Sequence, residues 1–78
     1  MQFKIDDDGY VIFGDNLYTI YYKELETQDW FFTHLLEKKW MNKSLLIDVF
    51  LSVIPLSQNP KILTNNFLKA FNNDLLHG

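Results

Sequence analysis

The hydrophobic pattern of this chain changes period once, near Lys23, and that change limits the folds open to it. Up to that point the residues read as strands, the first by its two-residue repeat and the next two by their apolar, β-branched and aromatic content. Phe3 and Ile5 alternate with Gln2, Lys4 and Asp6, as in a half-buried strand. Tyr10-Val11-Ile12-Phe13 reads as a second strand. Leu17-Tyr18-Thr19-Ile20-Tyr21-Tyr22-Lys23 reads as a third, rich in β-branched and aromatic residues. Asp7-Asp8-Gly9 and Gly14-Asp15-Asn16 are turn signals between them. Strands joined by short turns pair as an antiparallel meander.

After Lys23 the repeat is helical. The spacing predicts a first helix from Gln28 to Met41, with Thr27 as its N-cap and Asp29 at its positive end. At about 100° per residue, Phe31, Phe32, Leu35 and Leu36 fill one arc. Trp30, His34 and Met41 fall on the opposite side, with Glu37 beside them. Asn42 is a cap for a second helix, Lys43 to Ile54, in which only Asp48 and Ser52 form a polar stripe. A helix this apolar is central or lies at an interface, and Pro55 marks its end. Asn59-Pro60 then starts a third helix over 61–76. Its apolar stripe is Leu63, Phe67, Leu68, Ala70, Phe71 and Leu75, with Lys61, Asn65, Lys69, Asn72 and Asn73 opposite. The expected fold is α+β, a three-stranded antiparallel meander followed by three helices (βββααα), with residues 1–78 forming one domain.

Size makes such a core marginal. At 78 residues a chain buries roughly 63% of its unfolded surface. No cysteine is present to staple it, which fits a reducing compartment. Thirteen aromatic residues, seven Phe, four Tyr and two Trp, supply dense packing and leave some rings for a contact surface. The start has neither a basic segment nor an apolar one, and the longest apolar stretch, Leu45 to Leu56, falls short of a membrane span. A soluble, cytoplasmic protein without a membrane partner is expected.

All seven basic residues are Lys, and the net charge is -3. Without Arg there is no bidentate reader of guanine or phosphate, so nucleic acid is not the expected partner. Phe, Tyr, Met, Ile, Asn and Lys dominate the composition, the bias of AT-rich coding DNA, which also accounts for the missing Arg.

Few residue sets offer chemistry. Asp6-Asp7-Asp8-Gly9 fails as a calcium loop, because the twelfth position from Asp6 is Leu17 where a Glu is needed. His34 with Glu37 is a two-ligand pair lacking a third, and His77 sits beside the C-terminus. Ser44, Ser52 and Ser57 lack a Gly-flanked turn, and the glycines form no phosphate loop. No enzyme activity, metal or cofactor is expected. Met41-Asn42-Lys43 also permits a helix-turn-helix. The second helix carries too little polar surface to read DNA. The third offers Asn65, Asn66, Asn72, Asn73, Lys61 and Lys69.

The most distinctive string runs from Trp30 to Trp40. Two readings of it differ. In one, its residues are simply the buried helix of a small α+β domain. In the other, Phe31, Leu35 and Leu36 hold the core, and Trp30, His34, Trp40 and Met41 meet a partner, with Trp as the anchor. Asp6, Asp7 and Asp8, with Glu24 and Glu26, add acidic patches able to imitate phosphates toward a basic groove.

The run W-x-x-x-H-L-x-E-K-x-W, eleven residues from Trp30 to Trp40, resembles one found in short accessory proteins of phages. That resemblance implies a non-enzymatic inhibitor, of the anti-CRISPR or anti-restriction kind, that blocks a host defence complex in the host cytoplasm. The rival expectation is a dimeric helix-turn-helix regulator or antitoxin. The spare apolar surface of the first and second helices also predicts a homodimer, so the partner is a host protein or a second copy.

Overall fold

The computed structural model describes residues 3–13 and 18–77. The meander is present. β1 (Phe3–Ile5), β2 (Tyr10–Phe13) and β3 (Tyr18–Tyr21) form one antiparallel sheet in that order, with β2 in the centre. Phe3 pairs with Phe13, and Tyr10 with Tyr21. Alternation along β2 follows the strand period: Val11 and Phe13 are buried, and Tyr10 is exposed. The Gly14-Asp15-Asn16 turn and Leu17 lie outside the described residues.

The first hairpin turns through Asp6-Asp7-Asp8-Gly9. The Asp6 carboxylate accepts the amides of Asp8 at 3.0 Å and Tyr10 at 2.9 Å, the local bonding that makes Asp a turn residue. Gly9 has φ +92°, and a Cβ there would lie 2.5 Å from Cδ1 of Tyr22. Both the backbone and the Tyr22 ring therefore require glycine. The Gly9 carbonyl accepts the Tyr22 amide at 3.0 Å, which ties the turn to the start of the helices.

Among the described residues four α-helices follow: α1 (Tyr22–Thr27), α2 (Phe31–Glu37), α3 (Lys43–Val53) and α4 (Pro60–His77), with a 3₁₀ turn over Ile54–Leu56 after α3. The sequence pattern misses α1. The third strand stops at Tyr21, and Thr27 is the last residue of α1 rather than a cap for α2. Its hydroxyl donates to the Lys23 carbonyl at 2.8 Å, the back-bond that Thr makes inside helices. α2 begins after Trp30, without a side-chain cap. Asn42 does cap α3, its Oδ1 accepting the Leu45 amide at 2.8 Å, and Pro60 opens α4.

α4 is the hub of the helical layer and packs on α1, α2, α3 and the 3₁₀ turn. The core runs from Val11, Phe13 and Ile20 on the sheet through Leu25 and Phe32 to Leu46, Val49, Leu63 and Phe67. Phe67 of α4 stacks on Phe50 of α3 with centroids 4.2 Å apart, and meets the edge of Phe32 of α2 at 5.8 Å. One ring thus locks three helices. The accessible area of 5158 Å² is close to the roughly 5,000 Å² expected of a folded monomer of this mass.

Asn66 is the exception on α4. It is only 7% exposed, and its Nδ2 donates to the carbonyls of Leu25 at 3.0 Å and Glu26 at 2.9 Å. These carbonyls belong to the last turn of α1, where no intrahelical donor remains. Because both acceptors are carbonyls, only the amide nitrogen can face them, so the orientation is fixed by chemistry. This use removes Asn66 from any DNA-reading face. Replacing Asn66→Ala strands two buried carbonyls and is expected to cost about 2–3 kcal/mol. Asn66→Asp, which aims a carboxylate at the same oxygens, costs more. Urea denaturation checks this, and wild-type midpoints in both variants would show that the bridge contributes nothing.

Candidate contact face

The candidate site is built on α2 and its exit. Phe32 and Leu35, three residues apart, are fully buried, which turns the side of α2 bearing Trp30 outward. Trp30 is 51% exposed and Trp40 42%. His34 lies between them. Its ring centroid is 5.7 Å from Trp30 and 5.4 Å from Trp40, and both pairs meet at near right angles, 85° and 84°. Phe31 extends the row by stacking on Trp30 at 5.2 Å. Nε1 of Trp30 donates to Gln28 Oε1 at 3.2 Å. Edge-to-face contacts of this kind hold neighbouring rings in a fixed relation, so the row is ordered while remaining accessible.

The row closes because α2 ends early. The helix stops at Glu37, with Lys38 as its cap, and Lys39 takes the left-handed conformation with φ 60°. The Lys39 amide donates to Leu36 O at 3.0 Å, and the Trp40 amide to Leu35 O at 3.1 Å, the paired bonds of a left-handed helix stop. Glycine is usual at that position. A residue with a Cβ is disfavoured there by about 1–2 kcal/mol. α2 ends four residues before Met41, and the reversal brings Trp40 back alongside His34.

The same reversal corrects one expected contact residue. On a helix running to Met41, that side chain would share the face of Trp30 and His34. Instead the Met41 amide also turns back to Leu35 O at 3.4 Å, and Met41 is 4% exposed, inside the core. Glu26 is corrected too. Tyr22, Leu25 and Glu26 share one face of α1, and α1 packs on α4, leaving Glu26 only 4% exposed. Glu24 is exposed, as are Asp6, Asp7 and Asp8. These acids stand on the hairpin turn and α1, not on the aromatic row, and the Asp6 carboxylate is engaged within its own turn.

Two grooves border the row. One, of about 850 Å³, lies at the Trp40 end and is lined by residues of the α2 exit and α3, among them Leu36, Lys39, Trp40, Met41, Lys43 and Asp48. The other, of about 410 Å³, lies at the Trp30 end against α4 and is lined by Thr33, Asn72 and Asn73, with the Asp29–Lys69 ion pair. That pair is 3.1 Å long and about two-thirds exposed on both sides, so it adds little to stability. Ser44 and Ser52 are exposed on α3, while the His34 ring is occupied by its two Trp neighbours. Among the described residues no three His, Asp or Glu side chains converge as a metal-binding group, and no helix is long and apolar enough to cross a membrane. Compared with known protein families, curated proteins and solved structures, the chain matches none.

The exposure of Trp30 decides what its removal does. Trp30→Ala is expected to lower stability by less than about 1 kcal/mol, whereas Phe32→Ala, which empties a fully buried site, costs about 3–5 kcal/mol. Thermal melts of the two variants check this. A Trp30→Ala protein that melts as low as Phe32→Ala would return Trp30 to the core.

Proposed function

We propose that this chain is a small non-enzymatic protein-binding protein whose contact face is the Trp30–His34–Trp40 row. The observation that supports the reading is two half-exposed indoles held against one imidazole on a helix whose opposite side forms the core. Large rigid rings lose little conformational freedom on binding, and Trp is enriched among residues that dominate interface energies. The finer reading is a phage-encoded inhibitor that sterically blocks a host defence complex. It rests on the likeness of the Trp30–Trp40 run to phage accessory proteins.

The regulator reading has less support. The exposed positions of α3 include Ser44, Asp48, Leu51 and Ser52, and its one cation, Lys43, is half-buried and reaches over the Phe71 ring. On α4, Asn66 is used internally and Lys69 pairs with Asp29. An acidic chain with so few cations neutralises few phosphates. A second copy as partner draws support from Leu51 on α3 and Leu68 on α4, both exposed apolar side chains.

The test is affinity capture from a bacterial lysate with the wild type, Trp30→Ala and Trp40→Ala. A stoichiometric host protein retained by the wild type is expected to be lost or weakened by about 2 kcal/mol or more in the folded variants. Equal retention by all three would reject the row as the contact face. Submicromolar, sequence-dependent DNA binding at about 150 mM salt would put the regulator first.

A further inference from the structure

The aromatic row offers a partner much ring surface and little hydrogen bonding. Nε1 of Trp30 is spent on Gln28 Oε1, and the indole stacks on Phe31. The His34 ring nitrogens enter no hydrogen bond among the described residues. His34 is half-buried, and no buried polar side-chain atom among the described residues lacks a partner, so those nitrogens reach solvent. One imidazole is thus a polar handle in the middle of the row. No single sign of charge borders it. Asp29 pairs with Lys69, and Glu37 is followed by Lys38 and Lys39. A segment with ordinary backbone N–H groups would bury them against the rings without acceptors, which is costly. Proline has no N–H, and a proline-rich segment already holds the extended polyproline II form, so it loses little freedom on docking. The spacing agrees. With the imidazole between them, the two indole centroids lie at most about 11 Å apart, and a polyproline II helix returns to the same face about every 9 Å.

We infer that the Trp30–His34–Trp40 row binds a proline-rich segment of a partner protein in the polyproline II form. Prolines three residues apart rest on the two indoles, as such segments do on aromatic surfaces. A carbonyl between them accepts from a His34 ring N–H, since the polyproline II backbone leaves its carbonyls free of internal hydrogen bonds. This inference rests on the protein-binding reading and adds the chemistry of the partner to it. A basic segment held by its cations over the indole faces is the competing occupant.

The test uses the full chain labelled with ¹⁵N. It is titrated separately with synthetic octaproline, with a peptide of equal length alternating Gly and Ser, and with octalysine. Octaproline is expected to shift both indole N–H signals saturably, and the Gly-Ser peptide is not. Trp30→Ala is expected to weaken octaproline at least fivefold. His34→Phe, which keeps a ring and removes the donor, is expected to weaken it at least threefold. Amide spectra that match the wild type away from the row show that both variants are folded. No saturable shift at millimolar octaproline, equal shifts from the Gly-Ser peptide, or unchanged binding by either folded variant overturns the inference. Tighter binding of octalysine overturns it in favour of a basic partner. Failure of octaproline with Trp30-dependent capture from lysate retained refutes the proline chemistry alone, whereas failure of both refutes the row as the contact face.

Discussion

The side-chain amide of Asn66 closes the carbonyl end of α1 against the middle of α4, and the arrangement of the helices follows from that bond. α1 has six residues, too few to be stable alone. It persists because Leu25 enters the core and Asn66 takes up the carbonyls of Leu25 and Glu26. With α1 fixed on α4, only Gln28, Asp29 and Trp30 lie between it and α2. The short connection leaves α2 little choice of position, and Phe32 then reaches Phe67 on α4. A buried polar group thus sets the geometry that the apolar residues fill.

That geometry accounts for the surface as well as the core. Once Phe32 and Leu35 point inward, Trp30 and His34 must face out, because a helix has one side to bury against α4. The left-handed stop at Lys39 completes the row by folding Trp40 back on His34 and sending Met41 into the core. One local backbone reversal therefore sorts two consecutive residues to opposite environments. The same reversal forms the end of the groove lined by Leu36, Trp40 and Leu45.

The strands, the cap at Asn42 and the start at Pro60 were legible in the sequence because each depends on local chemistry. Val11 and Phe13 alternate with Tyr10 and Ile12. Asn42 caps through its own third following amide, and Pro60 needs no amide partner. What was not legible depends on distant partners. Asn66 looks like surface amide until α1, some forty residues earlier, is placed beside it. α1 itself was hidden because Tyr21-Tyr22-Lys23 has strand character, and Thr27 imitates a cap. Glu26 looks like solvent charge unless Tyr22 and Leu25 are read with it as one helical face. The aromatic row was half legible: Trp30 and His34 share a face by spacing, whereas the place of Trp40, and the loss of Met41 from that face, require a helix stop at a lysine where glycine is the usual signal.

The account stands on the row being assembled and yet open to solvent. Proton NMR of the unmodified chain measures both properties together, through nuclear Overhauser effects from the His34 ring and relaxation by a soluble paramagnetic agent. The account predicts effects from the His34 ring to both the Trp30 and Trp40 indoles, with strong paramagnetic broadening of the two indoles and none of Phe32. Contacts from the Trp30 indole to core methyl groups such as those of Leu46 or Val49, with protection from the agent, would contradict it.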